Sequence, residues 1–111
     1  MSQTRVVITG LGSINAIGHN VEEDWDSLQN GRGGVDHIDV FDTTDYTTTF
    51  AAQVKDADFS AHFDKKEIRR SSRFNLFAVK AACEAIADSG LDVEAEAHDV
   101  GVEIGSGIGG I

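Results

Sequence analysis

Apolar and polar positions along the chain fall into segments of two different periods. Residues 5–11 (RVVITGL) are a short apolar, β-branched run closed by Gly10 and Gly12, which predicts a buried strand. Residues 13–19 read as loop. Asn20 then stands as a helix N-cap with Glu23 three residues on, and Val21, Trp25 and Leu28 recur at i, i+4 and i+7. That spacing predicts a short amphipathic helix, ended by NGRGG at 30–34. Residues 35–50 are mixed, and their Thr-rich run DTTDYTTTF predicts an extended, partly exposed segment. FAAQV at 50–54 reads as a short strand.

The strongest periodicity lies between Ser71 or Ser72, as cap, and Ser89, with Gly90 placed to end the helix. Phe74, Phe77, Ala78, Ala81, Ala82, Ala85 and Ile86 share one face. Leu76, Val79 and Cys83 form a second apolar stripe, so the helix is predicted to be packed on two sides. DVEAEAHD at 92–99 is an acidic surface turn, and 100–104 a further strand that runs into glycines. Strand, helix, strand, helix, strand is an α/β order. The strands are too few to cover the long helix. Residues 1–111 therefore read as one incomplete unit, the N-terminal part of a larger layered fold.

Composition narrows the picture. With 111 residues and 41% hydrophobic content, the chain is expected to form one small domain with a core. Its net charge of -10 argues against nucleic acid and anionic membrane surfaces as partners. MSQTRVVITG carries no signal-peptide pattern, and no run of about 18 apolar residues could span a bilayer. A single Cys leaves no internal disulfide and no cysteine-based metal site. These features fit the cytoplasm.

Gly105, Gly107 and Gly110 match the spacing G-x-G-x-x-G. A dinucleotide site also needs a helix N-terminus directly after the glycines and an acid about 20 residues later, and neither follows here. Gly10-x-Gly12 has Asn15 where the third glycine belongs. The glycines read first as tight turns after strands. Four of them in the six residues 105–110 also suggest close backbone approach to a ligand or partner. Cys83, mid-helix among alanines, reads as packing rather than as a nucleophile, because such a position offers no free amides and nothing to favour a thiolate. His19, His37, His62 and His98 read as solvated, without metal-ligand spacing. The acidic runs Glu22-Glu23-Asp24 and 94–96 read as solvated faces. One cluster stands out: Lys65, Lys66, Arg69, Arg70 and Arg73 gather five of the nine bases within nine residues, offset only by Glu67. Helical spacing puts Lys66, Arg69, Arg70 and Arg73 on one side, which reads either as a solvated face that neutralises nearby acids or as a docking patch for an acidic partner.

RVVITGLGSINAIG, FDTTDY…FAAQVKDAD, DKKEIRRSSRF, AIADSGLD and VGVEIGSGIGGI occur in an order and spacing that resembles the 3-oxoacyl-(acyl-carrier-protein) synthases of the synthase II type, the condensing enzymes of fatty acid synthesis. The resemblance runs from about residue 5 to the end. It implies a thiolase-type αβαβα fold, a homodimer, and decarboxylative condensation of an acyl thioester with a malonyl thioester. The Cys nucleophile and two His of that family lie downstream of the GSGIGG loop, so no catalytic residue is expected among these 111. No cofactor is implied, since the substrates ride on the phosphopantetheine of acyl carrier protein. Lys66, Arg69 and Arg70 match positions that hold acyl carrier protein, and Ile108 a position bordering the acyl pocket. The alternatives are a polyketide-type ketosynthase fragment, a small nucleotide-binding α/β domain, and a self-contained interaction module.

Overall fold

The computed structural model describes residues 3–110; Met1, Ser2 and Ile111, the ends of the predicted unit, lie outside the described residues. Along the chain run α1 (Val21–Gln29), β1 (Val35–His37), β2 (Phe50–Ala52), α2 (Lys65–Arg70) and α3 (Arg73–Ser89). β1 and β2 pair antiparallel, Val35 opposite Ala52 and His37 opposite Phe50.

The caps explain the helix boundaries. Asn20 is extended (φ -161°, ψ 170°) and its side chain accepts the Glu23 amide at 2.8 Å, while Glu23 Oε2 accepts the His19 amide at 2.7 Å. At the start of α2 the box closes on the cap itself: Asp64 accepts the Lys66 and Glu67 amides, and Glu67 Oε2 accepts the Asp64 amide at 2.8 Å. Ser71 (φ -89°, ψ 141°) leaves helical geometry and separates α2 from α3, which begins after Ser72. α3 ends at Gly90, whose φ of 68° is left-handed and favours glycine.

Packing departs from the sequence reading in four ways. First, residues 5–11 and 100–104 form no ladder among the described residues; Val6, Ile8 and Val102 are 91%, 83% and 81% exposed. A strand exists only through a partner strand, and the apolar pattern specifies burial without naming the partner. Second, the expected core is small. Phe59 and Leu76 are the buried apolar side chains among the described residues. The radius of gyration is 17.3 Å, against about 13 Å for a compact domain of this length. The long helix does carry more apolar surface than its neighbours cover, as its two stripes foretold, but the deeply buried residue is Leu76 of the second stripe. Third, α1 turns its apolar stripe outward: Trp25 and Leu28 are mostly exposed, and Asp24 and Ser27 are buried instead. Fourth, Asp24 therefore does not belong to a solvated acidic face.

Polar groups fasten the segment before α1 to α1 and to α3. Ser13 Oγ and Asn15 Nδ2 donate to Asp24 Oδ2, the latter at 2.7 Å, and Ser27 Oγ donates to the Ile17 carbonyl at 2.7 Å. From α3, Asp88 accepts the Leu11 amide and Glu84 accepts the Ser13 and Val21 amides, each at 2.9 Å. Gly10 and Gly12 lie directly on the backbone of α3. A Cβ on either would fall inside the carbonyl oxygen of Ala85 or Ala81.

Candidate functional site

The basic cluster is split by the break at Ser71. Lys65, Lys66, Arg69 and Arg70 lie on α2 and are all exposed. The capping roles of Asp64 and Glu67 hold their carboxylates at the N-terminal end of α2, away from Arg69 and Arg70 in its last turn. Arg69 Nε donates to the Lys65 carbonyl at 3.2 Å, and among the described residues no ion pair involves any of the four cations. Arg73 leaves the group. It begins α3, donates to the Val54 carbonyl at 2.6 Å and stacks over the Phe77 ring at 5.2 Å. The predicted shared side with Arg73 assumed one continuous helix, which the extended backbone at Ser71 prevents.

The glycine loop 105–110 lies beside the start of α3. Gly109 has φ 79° and its amide donates to Ser106 Oγ at 2.9 Å, and Gly110 abuts Ser72 closely enough to exclude a Cβ. An apolar groove of about 400 Å³ runs from Ser13 and Ile14 past Phe74 and Phe77 to Ile104 and Gly105. Ile108 is 77% exposed and does not line it. Lys66, Arg69 and Arg70 lie on α2, whereas Ile108 lies in the glycine loop.

The Gly10–Gly12 motif is not arranged for a nucleotide. The close approach at Gly10 and Gly12 is already taken by the backbone of α3. At the start of α1, the amides of Val21 and Glu23 are bound by Glu84 and Asn20, so the positions an anion would need are occupied.

Cys83 is half-buried in the middle of α3. His19, His62, Lys80 and Glu84 share a groove of about 270 Å³ with it. The histidines thus divide: His19 is half-buried, while His37, His62 and His98 are exposed. The His19 N–H donates to Glu23 and keeps the Glu23 carboxyl below its ordinary range. Sequence reasoning missed the Asp24, Glu84 and Asp88 carboxylates as organisers. Their i, i+4 spacing on α3 was a signal for the latter two, but nothing in the letters said which amides they face.

The sequence profile described as "Beta-ketoacyl synthase, N-terminal domain" matches residues 3–111. The chain belongs to that family. It is 43% identical over 112 residues to the 3-oxoacyl-[acyl-carrier-protein] synthase 2 of Vibrio harveyi and 44% identical over 113 residues to the protein of the same description from Staphylococcus aureus (strain COL). Each alignment covers 100% of this chain and 27% of the relative, so the chain spans about a quarter of the length of these curated relatives. Among solved structures, "The ishigamide ketosynthase/chain length factor" superimposes with a TM-score of 0.66 at 34% identity, covering 79% of this chain and 22% of that one. The α/β class and the thiolase-type layered fold expected from the sequence accord with this likeness. No helix among the described residues is long and apolar enough to cross a membrane.

Proposed function

We propose that residues 1–111 serve as the N-terminal part of a condensing enzyme that elongates acyl chains by decarboxylative condensation with a malonyl thioester held on acyl carrier protein. The observation that carries the proposal is the family match over residues 3–111 together with 43–44% identity to 3-oxoacyl-[acyl-carrier-protein] synthases. The longer protein works as a cytoplasmic homodimer without a cofactor of its own. Its Cys nucleophile and two His lie outside these residues, where a helix N-terminus can stabilise thiolate and oxyanion.

Within the chain, α2 contributes the docking surface. A protein of net charge -10 repels an acidic carrier at long range, so contact requires a local reversal of sign. Lys66, Arg69 and Arg70 provide it, with Lys65 beside them. Ile108 forms one wall of the acyl pocket once the rest of the enzyme surrounds the glycine loop. A ketosynthase of another pathway is the second reading, supported by the structural likeness but at the lower identity of 34%.

The test is a chimera in which residues 1–111 replace the matching segment of the Vibrio harveyi synthase. It is expected to condense malonyl thioester with an acyl primer, and the isolated chain is expected not to. A chimera that folds yet neither decarboxylates nor condenses contradicts the assignment.

A further inference from the structure

α2 cannot place itself. It has six residues, none of them buried, and Ile68 alone is half-covered. A helix that short is marginal in water, so its orientation comes from the chain on either side. After it the backbone turns extended at Ser71. Before it runs the segment 54–64, and α3 grips that segment with one stripe of side chains. Arg73, Phe77 and Lys80 recur at i, i+4 and i+7 and so share a face. Arg73 donates to the Val54 carbonyl at 2.6 Å, and Lys80 Nζ donates to the Asp58 carbonyl at 3.2 Å. Between them the Phe77 ring lies 5.9 Å from the ring of Phe59, which is buried. The Phe59 carbonyl then accepts the His62 and Phe63 amides, each at 3.1 Å, and the next residue is Asp64, the cap of α2. A continuous run of contacts thus leads from α3 through Asp58 and Phe59 to the first turn of α2.

We infer that Lys80 is a positioning residue for carrier docking: through the Asp58 carbonyl it fixes the segment that sets the direction in which α2 presents Lys66, Arg69 and Arg70. This rests on the reading of α2 under "Proposed function". The choice of partner supports it. The chain has 19 acids against nine bases, yet among the described residues Lys80 forms no ion pair and donates to a backbone carbonyl instead. An ion pair would fasten one side chain to another, whereas a bond to a carbonyl fastens the main chain. Direction matters because complementary charges must face the partner together to fix its register. Arg73 grips the same segment but also covers the Phe77 ring, so its loss disturbs the start of α3 as well. Lys80 is the cleaner probe.

The test uses the full-length chimera with the Vibrio harveyi synthase. Lys80→Met should raise the apparent KM for a carrier-protein substrate severalfold. It should leave kcat at saturation, and turnover of a small uncharged thioester, as in wild type. Lys80→Arg, which can still donate to the carbonyl, should restore the KM. A double-mutant cycle separates positioning from a direct contact between Lys80 and the carrier. With Lys66→Glu, Arg69→Glu and Arg70→Glu already in place, Lys80→Met should raise KM no further, because nothing is left to aim. An additive loss makes Lys80 a contact in its own right and overturns the inference. Equal losses on the carrier and the small thioester make it a general structural residue and overturn it too. If Lys80→Met leaves KM unchanged while the triple reversal raises it, the inference fails and α2 stands as the docking surface. If the triple reversal itself leaves carrier kinetics untouched, the reading of α2 fails and takes the inference with it. A smaller exchange of residues 54–80 carries the segment, α2 and the gripping face of α3, and gives the same comparison where the full exchange does not fold.

Discussion

Glu84 and Ser13, 71 positions apart, are joined by a single hydrogen bond: the Ser13 amide donates to Glu84 Oε2 at 2.9 Å. The other oxygen of the same carboxylate takes the Val21 amide, also at 2.9 Å. One charge therefore satisfies an amide of the loop and the first amide of α1, where the positive end of the helix dipole favours it. Both donors are backbone groups, so only a change at residue 84 removes both.

Glu84→Ala is accordingly expected to destabilise the chain by about 1–3 kcal/mol, the range for stripping partners from partly buried polar groups. Glu84→Gln should cost less, because its carbonyl oxygen can keep one of the two amides. Urea titration reads both, and midpoints equal to wild type would show that the bridge contributes nothing.

Gly12 tests the contact with α3 independently. A Cβ there meets the Ala81 carbonyl, which belongs to helix backbone and cannot swing aside. Gly12→Ala should cost about 1–3 kcal/mol by overpacking. Gly33 has nothing within 4 Å of its Cβ position, and its replacement by Ala should stay within about 0.5 kcal/mol of wild type. Equal effects at the two sites would mean that the close approach to α3 is not maintained in solution.

Acid should weaken the structure through carboxylates that bind nearby amides. The His19 N–H lowers the Glu23 carboxyl below its ordinary 4.5, and the Ser60 N–H lowers Asp58 below its ordinary 3.8. Asp42 is lowered by the Thr44 hydroxyl first and its amide second. A carboxyl whose folded value is depressed contributes stability above its unfolded value and loses it as pH falls through the folded one. Thermal stability should therefore be level near neutrality and fall below about pH 4.5. Glu23→Gln should flatten that decline, and a variant with the wild-type acid profile would show that Glu23 is not among the groups responsible.

In a full-length synthase carrying this segment, Ile108→Phe should disfavour longer acyl chains. A β-branched side chain among glycines is stiff and gives a defined wall, which a larger ring would push inward. Competition between short and long acyl primers measures it. An unchanged product ratio would remove Ile108 from the pocket.

How much of this was legible in the sequence depends on the range of the interaction. Asn20, Glu23 and Gly90 marked helix ends correctly because caps act within a few residues. FAAQV at 50–54 was found, as Phe50–Ala52, because β-branched and aromatic letters were bounded by polar ones. RVVITGL reads as a strand yet is unpaired among the described residues, since its partner is not encoded in its own residues. The outward turn of Trp25 and the burial of Asp24 were illegible for the same reason: periodicity gives a stripe, and the neighbours decide which way it faces. The candidate patch was legible as charge but not as shape, because a two-residue break at Ser71 and Ser72 moved Arg73 to other work.

That break separates two kinds of arginine and yields the sharpest test of the patch. Arg69 and Arg70 are exposed on α2 without ion-pair partners among the described residues, whereas Arg73 binds the Val54 carbonyl at 2.6 Å and the Phe77 ring. In a full-length synthase carrying this segment, Arg69→Glu with Arg70→Glu should raise the apparent KM for carrier-protein substrates severalfold, mainly by slowing association. Turnover of a small uncharged thioester should be nearly unchanged, because the chemistry lies elsewhere. Added salt should narrow the gap between wild type and the reversal variant, since screening at about 0.15 M already shortens the field to about 8 Å. Arg73→Glu should behave differently, losing a backbone contact and a ring contact, and so should lower thermal stability and affect both substrates alike. If Arg73→Glu instead reproduces the carrier-selective defect of the double reversal, Arg73 belongs to the docking surface after all. If the double reversal leaves carrier-protein kinetics untouched, α2 is an ordinary solvated face and the carrier binds elsewhere.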